Sequence, residues 1–226
     1  MTYEATRDRL EVYFDKTAAK AWEAITSDAP VSRIRQTVRA GRDAMRAELL
    51  NLLPADLSGA RVLDAGCGPG QLSEALALRG ATVVGVDISP SLIDVARQRI
   101  APEVAHKVSF HTGDMLSVDL GRFDHVVAMD SLIHYAADDI ALALDKLAVR
   151  TSESIVFTVA PKTPLLMAMW WAGKAFPRSD RSPAIRPHST SGLNKMMGMI
   201  GSGIRLTEGA RVNSGFYISQ AMEARK

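Results

Sequence analysis

The sequence predicts a Rossmann-like α/β fold: a mostly parallel sheet closed by a C-terminal antiparallel hairpin, preceded by a helical arm. Three observations carry this prediction. An apolar run, Val62-Leu63-Asp64-Ala65, breaks into the glycine-rich turn Gly66-Cys67-Gly68-Pro69-Gly70 and then into a helical pattern. A second apolar run, Val83-Val84-Gly85-Val86, ends in Asp87, about 20 residues beyond the first glycine, where an acid accepts from ribose hydroxyls. Strand-like and helix-like segments then alternate to Val159, and alternation of this kind implies parallel strands.

The arm comes first. Leu10, Phe14, Ala18, Ala21, Trp22 and Ile25 recur at three- and four-residue steps, which predicts a helix over Tyr3 to Ser27. Ser27-Asp28-Ala29-Pro30 interrupts it, and a second helix is expected from about Val31 to Leu53, stopped by Pro54. These helices precede the first strand, so they are free to cover the carboxyl ends of the strands. Past the glycine turn, Leu72, Ala75, Leu76 and Leu78 form a helix closed by Gly80. Ser89-Pro90 reads as N-cap and first helical residue of the next helix, with Leu92, Ile93, Ala96 and Ile100 on its apolar face. Ser109 to Met115 gives a third strand end with Asp114, and Phe123 to Met129 a fourth strand. A helix from Ile140 to Val149 and a fifth strand from Ser154 to Val159 complete the alternation.

The C-terminal third differs in composition. Leu165-Leu166-Met167-Ala168-Met169-Trp170-Trp171 reads as a short, very apolar helix, followed by the proline- and arginine-rich Phe176 to Pro183. A further helix is expected over Thr190 to Ile200, then strands Arg205 to Val212 and Gly215 to Met222 joined at Asn213-Ser214-Gly215. The expected organisation is one domain: an arm or lid over 1–58, a ligand-binding core over 59–160, a helical specificity insert over 161–203 and terminal strands over 204–226.

Composition bounds the partners. With 226 residues and a formal net charge of +2, no global charge argument favours nucleic acid. Beyond Thr151 the basic residues outnumber the acidic ones, which points to an anionic small substrate or an acidic surface, unless it is simply a solvated face. A lone cysteine, Cys67, rules out an intrachain disulfide and predicts a reducing, cytoplasmic compartment; within the turn it reads as a small filler. No apolar leader is seen after Met1, and no stretch reaches the ~18 apolar residues of a spanning helix.

The glycine spacing is not that of dinucleotide sites. Asp64-x-Gly66-x-Gly68-x-Gly70 puts a carboxylate just before the first glycine, which repels a pyrophosphate and attracts a cationic amine or sulfonium. Asp64, Asp87 and Asp114 end three successive strands and together suit S-adenosylmethionine (SAM), which carries an amine, a ribose, an adenine amine and a sulfonium. From Arg61 to Phe157 the chain resembles the class I SAM-dependent methyltransferases, whose sheet is seven-stranded with a C-terminal antiparallel hairpin. The expected cofactor-binding residues are Arg39, Asp64, Gly66, Gly68, Gly70, Asp87, Ile88, Asp114, Met115 and Met129, with no protein-bound metal. Arg39-Ala40-Gly41-Arg42 offers two guanidiniums for the SAM carboxylate, or a solvated helix face. Asp130 has two readings, reaching the SAM amine or capping its loop.

Further stretches resemble one family. Tyr13-Phe14-Asp15, Val38-Arg39-Ala40-Gly41, Met129 to Tyr135, Phe157 to Pro164 and Phe176 to Arg181 are similar to the magnesium-protoporphyrin IX O-methyltransferases of photosynthetic bacteria, over nearly the whole chain. The resemblance implies methylation of one propionate of Mg-protoporphyrin IX in bacteriochlorophyll synthesis. It also implies association with the large porphyrin-binding subunit of magnesium chelatase and work near the photosynthetic membrane. Tyr13 and His134 match the arm tyrosine and post-strand histidine implicated in methyl transfer. The Lys195 to Gly203 stretch departs from the expected pattern in being rich in Met and Gly. Two other readings stand beside this one: a methyltransferase for a phenolic or quinone acceptor, and a SAM- or porphyrin-binding partner without catalysis.

Overall fold

The strands Arg61–Ala65 (β1), Thr82–Asp87 (β2), Val108–Thr112 (β3), Phe123–Ala128 (β4) and Thr151–Pro161 (β5) run parallel to one another in the computed structural model, which describes residues 2–15, 32–164, 166–167 and 184–225. Pro187–His188 (β6), Arg205–Ser214 (β7) and Tyr217–Arg225 (β8) follow. The sheet order is β3-β2-β1-β4-β5-β8-β7, with β8 antiparallel to both neighbours. This is the seven-strand path with a terminal hairpin that the sequence predicts. The two-residue β6 pairs off that path, parallel to the end of β5, and no sequence pattern announces it.

The helices are Tyr3–Tyr13 (α1), Arg33–Asn51 (α2), Gln71–Leu78 (α3), Pro90–Arg99 (α4), Ala137–Ala148 (α5) and Thr190–Met199 (α6). Side-chain caps set several of their starts. Ser89 accepts from Leu92 N with Pro90 in the first turn, as expected. Ser32 and Ser189 cap α2 and α6 in the same way. The start of α5 lies one turn earlier than the sequence pattern puts it, at Ala137, and Asp138 and Asp139 occupy that first turn, where the helix dipole favours acids. The hairpin turns at Gly215-Phe216, one residue later than expected, because Ser214 pairs with Tyr217.

Both faces of the sheet are covered, which is why the strands read as near-continuous apolar runs. Side chains alternate along each strand. Leu63, Val84, Val126, Ile155 and Phe157 pack on one side with Ile140 and Leu144 of α5 and Leu193 of α6. Val62, Val83, Val127 and Val156 pack on the other with Met45 and Leu49 of α2 and Leu72 and Leu76 of α3. The strand order reverses between β1 and β4, so the crevice beyond their carboxyl ends is the expected ligand site. The predicted helix beyond Asp15, most of the apolar Leu165–Trp171 helix and the Phe176–Pro183 loop lie outside the described residues.

Candidate active site

The loops after β1 and β4 meet at the reversal. Gly66 has φ +85°, and a Cβ there would lie 2.4 Å from Ser131 Cβ, so only glycine lets the two loops touch. Between them opens a solvent-connected cleft. Gly66, Gly68, Asp87, Ile88, Met115, Met129 and His134, all named by the sequence, line it. Cys67 lines it too, and burial pushes its thiol up, which keeps it protonated and inert.

Asp87 is held by the turn it faces. Its Oδ2 accepts from Gly68 N at 2.9 Å and its Oδ1 from Ser89 N at 2.9 Å. Burial raises its pKa and those two hydrogen bonds oppose the rise. Ile88 adds a third backbone donor, and a carboxylate with about four acceptor sites still has room for a further one. Asp64 is more deeply placed, at 1% exposure, and accepts from Ser73 Oγ at 2.6 Å. Burial pushes it up to about 7, with the Ser73 bond opposing. Its carboxylate fronts a neighbouring recess that it shares with Arg42, Arg46 and Gln71 rather than the main cleft. Gly70 lies outside the cleft as well, as the N-cap of α3.

Two further expected residues, Arg39 and Asp114, lie outside the lining of the cleft. Arg39 does not line the cleft; Arg42, one turn on, lines both the cleft and the recess. Arg42 is ion-paired with Asp130 Oδ2, and Asp130 also accepts from the Tyr217 hydroxyl at 3.0 Å. Asp130 N donates to Thr158 Oγ1 at 2.7 Å. Asp130 has φ +56°, alone among the described non-glycine residues in the left-handed region, and this lattice of bonds holds it there. Gly41 is part of the same construction, since a Cβ there would lie 2.5 Å from Tyr217 Cδ1. Asp114, expected at the cofactor, has its carboxylate engaged by the arm: Tyr3 Oη donates to Oδ1 at 2.8 Å and Arg7 Nη1 to Oδ2 at 3.0 Å.

The arm helix forms the wall opposite the glycine turn. Tyr3, Leu10 and Phe14 line the cleft, and Tyr3 stacks on Tyr135 at 4.9 Å. Asp15 reaches the α4 N-terminus, accepting from Ser91 N at 3.3 Å. Tyr13 does not line the cleft; it packs edge-on against Phe14, whose ring lies 6.1 Å from that of His134. His134 is 8% exposed, with Nδ1 3.5 Å from Ala184 O. Sequence reasoning missed Tyr3 and Tyr217. Neither lies in a motif, and each reaches the site only through tertiary packing.

A glycine cradle, a half-buried acid at the second strand end and an arginine beside the turn fit a nucleoside bearing an amino acid. The comparisons agree. Residues 62–151 match the model of a methyltransferase domain, and residues 128–226 match that of the magnesium-protoporphyrin IX methyltransferase C-terminus. The magnesium-protoporphyrin O-methyltransferase of Rhodobacter capsulatus is 55% identical over 99% of this chain and 98% of its own length. Crystal structures of magnesium protoporphyrin IX methyltransferase from Synechocystis PCC 6803 superpose with TM-scores of 0.81 (with bound SAH) and 0.77 (with bound SAM). They are 29% and 27% identical and cover 97% of this chain, and 98% and 96% of their own. The fold is that of the class I methyltransferases, and the chain belongs to the magnesium-protoporphyrin IX O-methyltransferase family.

Proposed function

We propose that this protein transfers the methyl group of SAM to one propionate carboxylate of Mg-protoporphyrin IX, giving the monomethyl ester, in bacteriochlorophyll biosynthesis. The observation that carries the reading is a single cleft holding the Gly66–Gly68 turn, Asp87 and His134, in a chain 55% identical over nearly its whole length to a relative named for this reaction.

Bound SAM supplies an electrophilic methyl on a sulfonium. The chain's own tasks are binding, alignment and exclusion of water. Asp87, held in place by backbone donors, keeps acceptor capacity for a ribose hydroxyl. Arg42, ion-paired with Asp130, lines both the cleft and the recess and sets a guanidinium beside the glycine turn for the SAM carboxylate. Leu10, Phe14 and Tyr135 make the wall apolar. A propionate, with a reference pKa near ~4.3, is already ionised at pH 7 and needs no base to attack. His134, which lines the cleft, therefore orients the propionate and abstracts no proton, and Tyr13 acts only through Phe14, against which it packs. Holding oxygen, methyl and sulfur in line supplies roughly 7–11 kcal/mol of the barrier. Attack also neutralises charge, because a sulfonium and a carboxylate become a thioether and an ester. A low-dielectric cleft favours that change over the separated ions.

The test is direct. Purified protein, SAM and Mg-protoporphyrin IX are mixed, and mass spectrometry looks for one added methyl and for S-adenosylhomocysteine, with Asp87→Ala as control. Ester formed by the wild type and lost in the variant supports the reading. SAM binding without product withdraws the porphyrin. A rate limb at the histidine pKa that vanishes in His134→Ala, with activity restored by imidazole, would make His134 a general base and overturn its orienting role. The same reading calls for two partners, the large porphyrin-binding subunit of magnesium chelatase and a peripheral membrane contact. The apolar 164–173 sequence and the basic C-terminal third support the second; among the described residues no helix is long and apolar enough to cross a membrane.

A further inference from the structure

The loop that carries His134 is braced from outside its own strand. Residues 184–188 return from the segment that separates β5 from β6, and they run along this loop. Arg186 N donates to Ile133 O at 2.8 Å. His188 Nε2 lies 3.0 Å from Tyr135 O, and His134 Nδ1 lies 3.5 Å from Ala184 O. The brace is itself anchored. Ala160 pairs with Pro187 and Pro161 with His188, and Lys162 N donates to His188 O at 2.9 Å. The residues on either side of His134 are thus fixed to β5 through a two-residue strand.

We propose that His188 is a positioning residue for methyl transfer: its Nε2–H, held by the Tyr135 carbonyl, fixes the Ile133–Tyr135 loop and with it the His134 ring in the cleft. A carbonyl oxygen can only accept, so the hydrogen of His188 sits on Nε2. Burial lowers the pKa of His188, so the ring is neutral at pH 7 and keeps that one hydrogen. Tyr135 in turn stacks on Tyr3 of the arm, so the bond also steadies one wall of the cleft. The proposal rests on the acceptor reading above, in which His134 orients the propionate.

The experiment compares His188→Met with His188→Gln in the full chain. The two replacements have similar volume, and only Gln offers an amide N–H at about the reach of Nε2. Turnover is measured with SAM and Mg-protoporphyrin IX, and SAM affinity by calorimetry. The expected result is a kcat about tenfold lower for Met, with Gln within about threefold of wild type and both SAM dissociation constants within about twofold of it. Equal kcat values for Met and Gln, or SAM affinity falling in step with kcat, overturn the positioning role. A second measurement needs no variant. Nitrogen-15 spectra of wild-type protein should show His188 as the neutral Nε2–H tautomer, and the Nδ1–H tautomer overturns the proposal. Wild type that forms no ester while showing the Nε2–H tautomer withdraws the acceptor reading. Active wild type with indistinguishable variants withdraws the role of His188 alone.

Discussion

Gly66 is where one missing side chain decides whether the cleft exists. Any Cβ there is 2.4 Å from Ser131 Cβ, and the positive φ adds roughly 1–2 kcal/mol of strain for an L-residue. Gly66→Ala should therefore weaken SAM binding by at least about tenfold, read by calorimetry. Gly66→Ala combined with Ser131→Gly should recover only part of the loss, because the second change relieves the collision and leaves the φ. Full recovery would mean that the conformation of the turn is immaterial. Gly41 makes a similar point at a distance. Gly41→Ala should push the Tyr217 ring off α2 and loosen its bond to Asp130, and with it the Arg42 pair. SAM affinity should fall by about fivefold to tenfold, of the order of one lost hydrogen bond. Loss of thermal stability with SAM affinity intact would make Tyr217 a packing residue only.

Among the elements, the arm helix and the sheet differ in how much of them is legible in the sequence. The sheet is written locally: Val62-Leu63, Val83-Val84 and Val126-Val127 each feed both faces, and the glycines and acids mark the strand ends. Ser89-Pro90 announces α4 because a cap is a local event. The arm is legible as a helix and not as a wall, since nothing within Tyr3–Tyr13 says that Tyr3 and Arg7 will find Asp114, more than 100 residues on. For the same reason the sequence presents Asp114 as a cofactor acid and gives no sign that its carboxylate also holds the arm. Arg42 is separated from Arg39 by one helical turn, and only the position of Asp130, set by β4, selects between them. β6 is two residues long and has no pattern to read. If the Asp114 bonds seat the arm over the cleft, Tyr3→Phe with Arg7→Ala should raise the SAM dissociation constant about fivefold to tenfold and leave the melting temperature within a few degrees. The reason is that part-exposed pairs contribute little to global stability. A large drop in melting temperature with unchanged SAM affinity would place the arm in the core of the fold instead.

For the molecule as a whole, buried titratable groups of opposite sign make stability depend on pH from two directions. His125, 7% exposed and 2.9 Å from Ser154 Oγ, has its pKa lowered by burial, and His188 behaves alike. Their contribution is fully present above the unfolded value near ~6.5. It is lost as pH falls below that value, because the unfolded chain then takes up protons that the folded chain refuses. Asp64 works in reverse. Its carboxyl is pushed up to about 7 in the fold against an ordinary value of 3.8, so between those limits the folded state holds a proton that the unfolded state has released. Stability from this group therefore declines as pH rises from 3.8 towards about 7 and is level beyond. Asp64→Asn removes the titrating carboxyl and keeps an oxygen able to accept from Ser73. The melting temperature of Asp64→Asn relative to wild type should thus be more favourable at pH 8 than at pH 5, and scanning calorimetry at the two values reads the difference. A constant offset would mean that Asp64 is ionised throughout, held by the Ser73 bond against its burial. A SAM cation near Asp64 favours the carboxylate, so SAM binding at pH 7 should release protons from wild type. Calorimetry in buffers of different ionisation enthalpy measures that release, which Asp64→Asn should reduce. Equal release from the two proteins would assign the titration to Asp87, whose carboxylate faces the cleft itself.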